Sequence, residues 1–263
     1  MTSITWDTVG ERAFQTGIDR GVLYPSTGDG VPWNGLTSVE ESIIRDQQTH
    51  HLDGIKYLEY QTAGDYEGKL KAFTYPDEFD IINGIQDQSG MRVHEQPTQR
   101  FGLSYRTKLG NDVNGIDLGY KITLLYRLMA SADATSFGSL GGQISPAEFS
   151  WSLSGIPVAI AGSKATTQIS FDSTKVDPFK LEIIESILYG SETSAPRLPS
   201  PDELIEILET TFMVLIIDHG DGTWSAYGPP ARFTAPSAGE FQITSVDSTV
   251  IDANTYTVTT TLT

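Results

Sequence analysis

The chain has no cysteine in 263 residues, which removes disulfides, thiolate metal sites and thiol nucleophiles from consideration. Positive charge is scarce as well: 17 Lys and Arg stand against 34 Asp and Glu, a formal net charge of −17. Such a balance repels a phosphate backbone and argues against a conventional nucleic-acid-binding face, whose footprint is basic. Apolar residues never run on for the roughly 18 positions of a membrane span. The opening Met1-Thr2-Ser3-Ile4-Thr5-Trp6-Asp7 has neither the basic start nor the apolar core of a signal peptide. A soluble chain without a membrane anchor, made in the cytoplasm, is the expectation.

What is present is aromatic. Four Trp, 11 Tyr and 11 Phe supply core area although only 38% of residues are hydrophobic, so a folded chain is expected, stabilised by packing and assembly. Its length lies near the roughly 250–300 residues at which single cores stop growing, which favours two units. The acid excess is uneven: from residue 176 onward 13 acids face 3 bases, a net of −10, leaving −7 for the first 175 residues.

Strict alternation is the clearest structural signal, because every second side chain of a strand shares a face. Glu148-Phe149-Ser150-Trp151-Ser152-Leu153-Ser154 shows it, as do Phe101, Leu103 and Tyr105. Tyr120, Ile122, Leu124, Tyr126 and Leu128 predict one long strand with a single apolar stripe. Further strands are predicted at residues 36 to 44, 66 to 75, 165 to 171, 213 to 217, 223 to 227, 240 to 244 and 255 to 262. Asp53-Gly54 and Asp221-Gly222 supply the turn chemistry of hairpins, hence antiparallel pairing. Long connections at residues 25 to 35, 84 to 99, 110 to 119 and 131 to 145 are candidate contact arms. Two helices are predicted, one from Asp177-Pro178 to Gly190 and one opened by a capping box, Ser200 with Glu203. The proline-bearing segment from Ser191 to Pro199 predicts a stiff exposed connector between residues 1–195 and 196–263.

Motifs that carry chemistry are incomplete. His50-His51 would point to opposite faces of a strand, so no metal is expected there. His94-Glu95 lacks a second His at zinc-helix spacing, and Pro97 interrupts it. The turn Asp218-His219-Gly220-Asp221-Gly222-Thr223 lacks the third acidic position and distal Glu of a calcium loop, which leaves a hairpin turn. Asp77 and Glu78 diverge as neighbours and suit the first turn of a short helix better than an acid and base pair. There is no phosphate loop, nucleophile elbow or dinucleotide fingerprint. The expectation is a chain without catalytic residues, cofactor or metal. In so acidic a chain Lys69, Lys71, Arg100, Arg106 and Lys108 stand out, either as a solvated sheet face or as a basic surface that meets an acidic one on a neighbouring subunit.

Ordered blocks add a resemblance. Trp6-Asp7, Gly10-Glu11-Arg12, the run from Thr16 to Pro25, and Val31-Pro32-Trp33-Asn34-Gly35-Leu36 resemble the opening of major tail proteins of siphovirus-type, long-tailed bacteriophages. The run from Ala72 to Phe79, Phe101 to Thr107, Gly119-Tyr120-Lys121, Phe149-Ser150-Trp151 and Pro196 to Pro201 are similar too, so the likeness spans residues 4 to about 210. Such proteins often carry Cys where Ser104 stands and after the Tyr-Pro-Asp-Glu-Phe block; this chain does not.

The resemblance implies a mainly β fold, an antiparallel β-sandwich or split barrel of the tail-tube type with a few short helices. It implies a tail-tube β domain over residues 1–195, and a C-terminal helix with a small β subdomain over 196–263. It also implies stacked hexameric rings forming a hollow tube in the virion, assembled in the host cytoplasm. Expected partners are further copies of the chain, a tape-measure protein, a tail terminator and tail-tip proteins, with DNA passing through the lumen unbound. An acidic lumen wall would keep phosphates from adhering. A carbohydrate-binding or adhesin-like β-module is the competing expectation.

Overall fold

The computed structural model describes residues 4–61, 64–139, 146–191 and 194–209, together with four strands between 215 and 260. The strands are β1 (Phe14–Pro25), β2 (Val31–Pro32), β3 (Leu36–Ile44), β4 (Gln47–Leu52), β5 (Ile55–Gln61) and β6 (Asp65–Ala72). The one-turn helix α1 (Phe79–Ile82) precedes β7 (Gln86–Gln88), β8 (Met91–Val93), β9 (Phe101–Asn111), β10 (Gly115–Ala132), β11 (Phe149–Gly155), β12 (Val158–Ile160), β13 (Ser163–Thr166) and β14 (Gln168–Asp172). Helices α2 (Pro178–Tyr189) and α3 (Pro201–Glu209) follow. Then come β15 (Leu215–Asp218), β16 (Trp224–Tyr227), β17 (Ile243–Asp247) and β18 (Thr257–Thr260), a four-stranded sheet in the order β16-β15-β18-β17. The fold is mainly antiparallel β with a few short helices, as the alternation predicted.

The main sheet has the order β2-β1-β9-β10-β11-β6-β3, with β14 also paired to β10. It curls so that β3 packs back against β1. Apolar side chains from along the sheet, including Leu23, Leu70, Leu103, Leu125 and Leu153, therefore converge on one inner core. An aromatic knot fills its end: Phe79 lies 4.7 Å from Trp33 and 5.1 Å from Trp151 between ring centroids, and Tyr75 meets Trp151 edge-on at 5.5 Å. Both buried indoles have partners, as aromatic rings with a polar edge require. Trp33 Nε1 donates to the Thr74 carbonyl at 3.0 Å and Trp151 Nε1 to Asn83 Oδ1 at 3.1 Å.

A second core covers the opposite face of β1, β10 and β14. Val22, Tyr24, Ile122, Leu124, Tyr126 and Phe171 meet Leu181, Ile184 and Leu188 of α2 and Leu204 and Ile207 of α3. Tyr24 places its phenol between Ser104 Oγ at 3.1 Å and the Leu188 carbonyl at 2.9 Å. The helix ends follow the sequence. The Asp177 carboxylate accepts from the Phe179 N–H at 3.0 Å, Pro178 occupies the first turn, and Gly190 closes α2 at φ 81°. Ser200 Oγ accepts from the Glu203 N–H at 3.2 Å, while the Glu203 carboxylate spends itself chiefly on Arg197, at 2.5 and 2.8 Å.

Four expectations change in detail. β1 is a 12-residue strand, interrupted by register shifts between Thr16 and Asp19 and between Asp19 and Val22, and its irregular first half hides the alternation. The single stripe predicted for β10 divides at a bulge: Leu125 pairs with Leu103 but Leu128 with Phe101, so one extra residue enters at Arg127, φ 49°. Tyr120, Ile122, Leu124 and Tyr126 thus face the helices, whereas Leu128 turns to the inner core. The connection expected at 110 to 119 is a tight hairpin between β9 and β10, and the one at 84 to 99 contains the β7–β8 hairpin. The connector before α3 is tied down: the Arg197 N–H donates to the Ile187 carbonyl at 2.9 Å, and the Gly30 N–H to the Pro196 carbonyl at 2.7 Å. Among the described residues no helix is long and apolar enough to cross a membrane.

Candidate functional site

Two surface features depart from what a self-sufficient β domain presents. The first is the β4–β5 ribbon, turned by Asp53 and Gly54, both at positive φ, as the Asp-Gly turn predicted. Every residue from Glu40 to Gln61 is exposed. The ribbon leaves Ile55 72% and Tyr57 74% exposed, with Ile43, Ile44, Leu52, Leu58 and Tyr60 also open to solvent. A two-stranded ribbon is marginally stable alone in water, and apolar surface of this extent marks a contact surface. His50 stacks on Tyr60 at 6.0 Å between ring centroids, a contact within the ribbon. Among the described residues no three His, Cys, Asp or Glu side chains gather as metal ligands.

The second feature is a cleft of about 310 Å³ where the end of β1, the start of β9, the β10 bulge and the connector before α3 meet. Arg100, Arg127 and Arg197 line it together with Tyr24, Phe101 and Tyr126, and no Asp or Glu lies among the lining residues. Arg100 donates from Nη1 to the Arg127 carbonyl at 3.0 Å, which props the bulge. Arg197 is neutralised by Glu203, and this pairing, with a smaller contribution from the Ser200 backbone N–H, holds the Glu203 carboxyl below its ordinary range. Arg100 and Arg127 form no ion pair with a carboxylate among the described residues.

The five cations singled out in the sequence occupy separate places. Lys69 and Lys71 alternate with the buried Leu70 and Ala72 on β6, and pair with Asp133 at 2.9 Å and Glu40 at 3.0 Å. Arg106 lies on β9, separated from β6 by β10 and β11, and donates twice to Asp19 at 2.7 and 2.8 Å with the Tyr120 ring 4.8 Å from its guanidinium carbon. Arg106 and, less strongly, Lys108 hold the Asp19 carboxyl below the usual range. Arg100 alone of the five opens onto the cleft. Arg127 and Arg197 were missed, because nothing in sequence spacing brings positions 100, 127 and 197 together. Asp77 is exposed and pairs with Arg92, Glu78 stands at the N-cap position of α1 without a side-chain capping hydrogen bond, and His94 lies in a loop. Of the possible calcium turn, residues 219–223 lie outside the described residues, as do 140–145 of the expected contact arm.

No family model and no curated protein matches the sequence. Solved structures similar to it include the PVC sheath–tube complex of an extracellular contractile injection system in its extended state, 20% identical, with 58% of this chain and 88% of that chain covered at a TM-score of 0.33. The tube-terminating cap of the anti-feeding prophage is 14% identical, with coverages of 65% and 99% and a TM-score of 0.37. The PVC sheath/tube terminator is also 14% identical, with coverages of 64% and 99% and a TM-score of 0.31. Likeness at these TM-scores assigns no function, and the reading below rests on the chain's own surfaces and sequence.

Proposed function

We propose that this chain is a non-enzymatic structural subunit of a phage tail tube, polymerising as stacked, six-membered rings around a channel for DNA. The observation that carries the reading is the β4–β5 ribbon, 15 residues from Gln47 to Gln61 held out from both cores with its aliphatic and aromatic side chains exposed. Such an arm gains by binding a neighbouring subunit, which removes its apolar surface from water and gives its strand edges partners. The ordered sequence blocks from residue 4 to about 210 support the siphovirus form, and with it tape-measure, terminator and tail-tip partners in the virion. On this reading residues 1–195 form the tube domain and DNA passes without specific binding, as the −17 charge favours.

Negative-stain microscopy of the concentrated full-length chain tests the proposal. Rings or tubes of uniform diameter are expected. A chain that stays monomeric at every concentration and instead binds sugars on a glycan array is a carbohydrate-binding module.

A further inference from the structure

In the Arg100–Arg127–Arg197 cleft the fold uses Arg100 to prop the bulge and pairs Arg197 with Glu203. In a chain with twice as many acids as bases, three arginines share one cleft whose lining includes no acid. Glu203 neutralises Arg197, leaving two guanidinium groups without a carboxylate among the described residues. Arg127 is exposed at the bulge, whose extra residue sets its φ of 49°. Tyr24, Phe101 and Tyr126, all largely buried, complete the lining.

We propose that this cleft receives a carboxylate-bearing segment of a second copy of the chain. Charge complementarity selects that occupant: each copy brings an acid excess of 17, and planar guanidinium groups match carboxylates with two parallel hydrogen bonds. The inference rests on the ring-forming reading and adds where one copy holds the next. Among the described residues Lys69, Lys71 and Arg106 hold acids of their own chain, whereas Arg100 and Arg127, like Lys108 and Lys121, form no ion pair with a carboxylate, and of these four only Arg100 and Arg127 line the cleft.

Three full-length proteins test it: wild type, Arg127→Gly and Arg127→Glu. Both substitutions keep the backbone carbonyl that Arg100 holds, and Gly relaxes the left-handed conformation, so its melting temperature should equal or exceed wild type. Sedimentation velocity and negative-stain microscopy would measure the concentration at which oligomers appear. That concentration should rise about tenfold or more for Arg127→Gly, as expected when one partner of a close interfacial charge pair is removed, and further for Arg127→Glu. Wild-type assembly should weaken with salt more steeply than that of either variant. Oligomers from both variants at the wild-type concentration would overturn the cleft as a contact while leaving the tube reading intact. A wild type that never associates removes both. Binding of a short single-stranded DNA that Arg127→Glu abolishes without changing assembly would replace the second copy with nucleic acid as the occupant.

Discussion

Asp19 and Arg106 face each other across β1 and β9, joined by two hydrogen bonds of 2.7 and 2.8 Å at the second register shift of β1. The guanidinium also lies against the Tyr120 ring, so the pair ties β1 to β9 and β10 where the ladder is irregular. Because Arg106 lowers the carboxyl's pKa in the folded chain, the pair's contribution is present above the ordinary carboxylate value of about 3.9 and is lost as pH falls through the lower folded value. Asp19→Asn should cost about 1 kcal/mol at pH near 7, discounted for the partial exposure of both groups, and progressively less as pH falls below the ordinary carboxylate value. Urea denaturation of both proteins across that pH range measures this.

Phe79 is fully buried and touches Trp33, Tyr75, Phe101 and Trp151. Phe79→Ala should destabilise the chain by about 3–5 kcal/mol, since the surrounding rings cannot all collapse into the vacated space. Chemical denaturation followed by tryptophan fluorescence reports it directly, as two of the touching rings are indoles.

Gly110 sits where the β9–β10 hairpin crosses Phe14. A methyl group there would overlap the Gly115 carbonyl oxygen and approach the Phe14 ring to 2.5 Å. Gly110→Ala should cost about 1–3 kcal/mol, the usual penalty of overpacking. Faster amide exchange at residues 109 to 116 would accompany the loss.

Replacing Ile55 and Tyr57 together by Glu should change the subunit's stability by no more than about 0.5 kcal/mol, because neither side chain contributes to a core. The same protein should form no tubes in negative stain. Tubes indistinguishable from wild type would remove the ribbon from the assembly.

β11, with one buried face, was legible from its alternation, and so was β9, where large Phe101, Leu103 and Tyr105 alternate with small Gly102 and Ser104 although all five are buried. The helices announce themselves at Asp177-Pro178 and Ser200-Pro201 because capping is local chemistry. β1 was hidden by its two register shifts, whereas β10 was legible as a strand but not as apolar on both faces, with Leu124 and Leu125 in different cores. The ribbon's turn could be read from Asp53-Gly54, but whether it lay on a core could not, since Ile55, Tyr57 and Leu58 suit a buried strand equally well. Charges were visible without their partners. Asp19 lies 87 positions from Arg106, and only the folded sheet separates cations that are already neutralised from Arg100 and Arg127.

The bulge at Arg127 has a mechanical corollary. On the β10 edge opposite β9, residues before it pair with β14, and those after it pair with β11. One strand is therefore a wall of both cores, so loss of either strips one face of β10. Heat or denaturant should remove inner core and helices in a single transition, with amides from Ile122 to Leu128 exchanging last. A subunit pulled along its length would carry the load through this shared spine, yielding all at once or not at all.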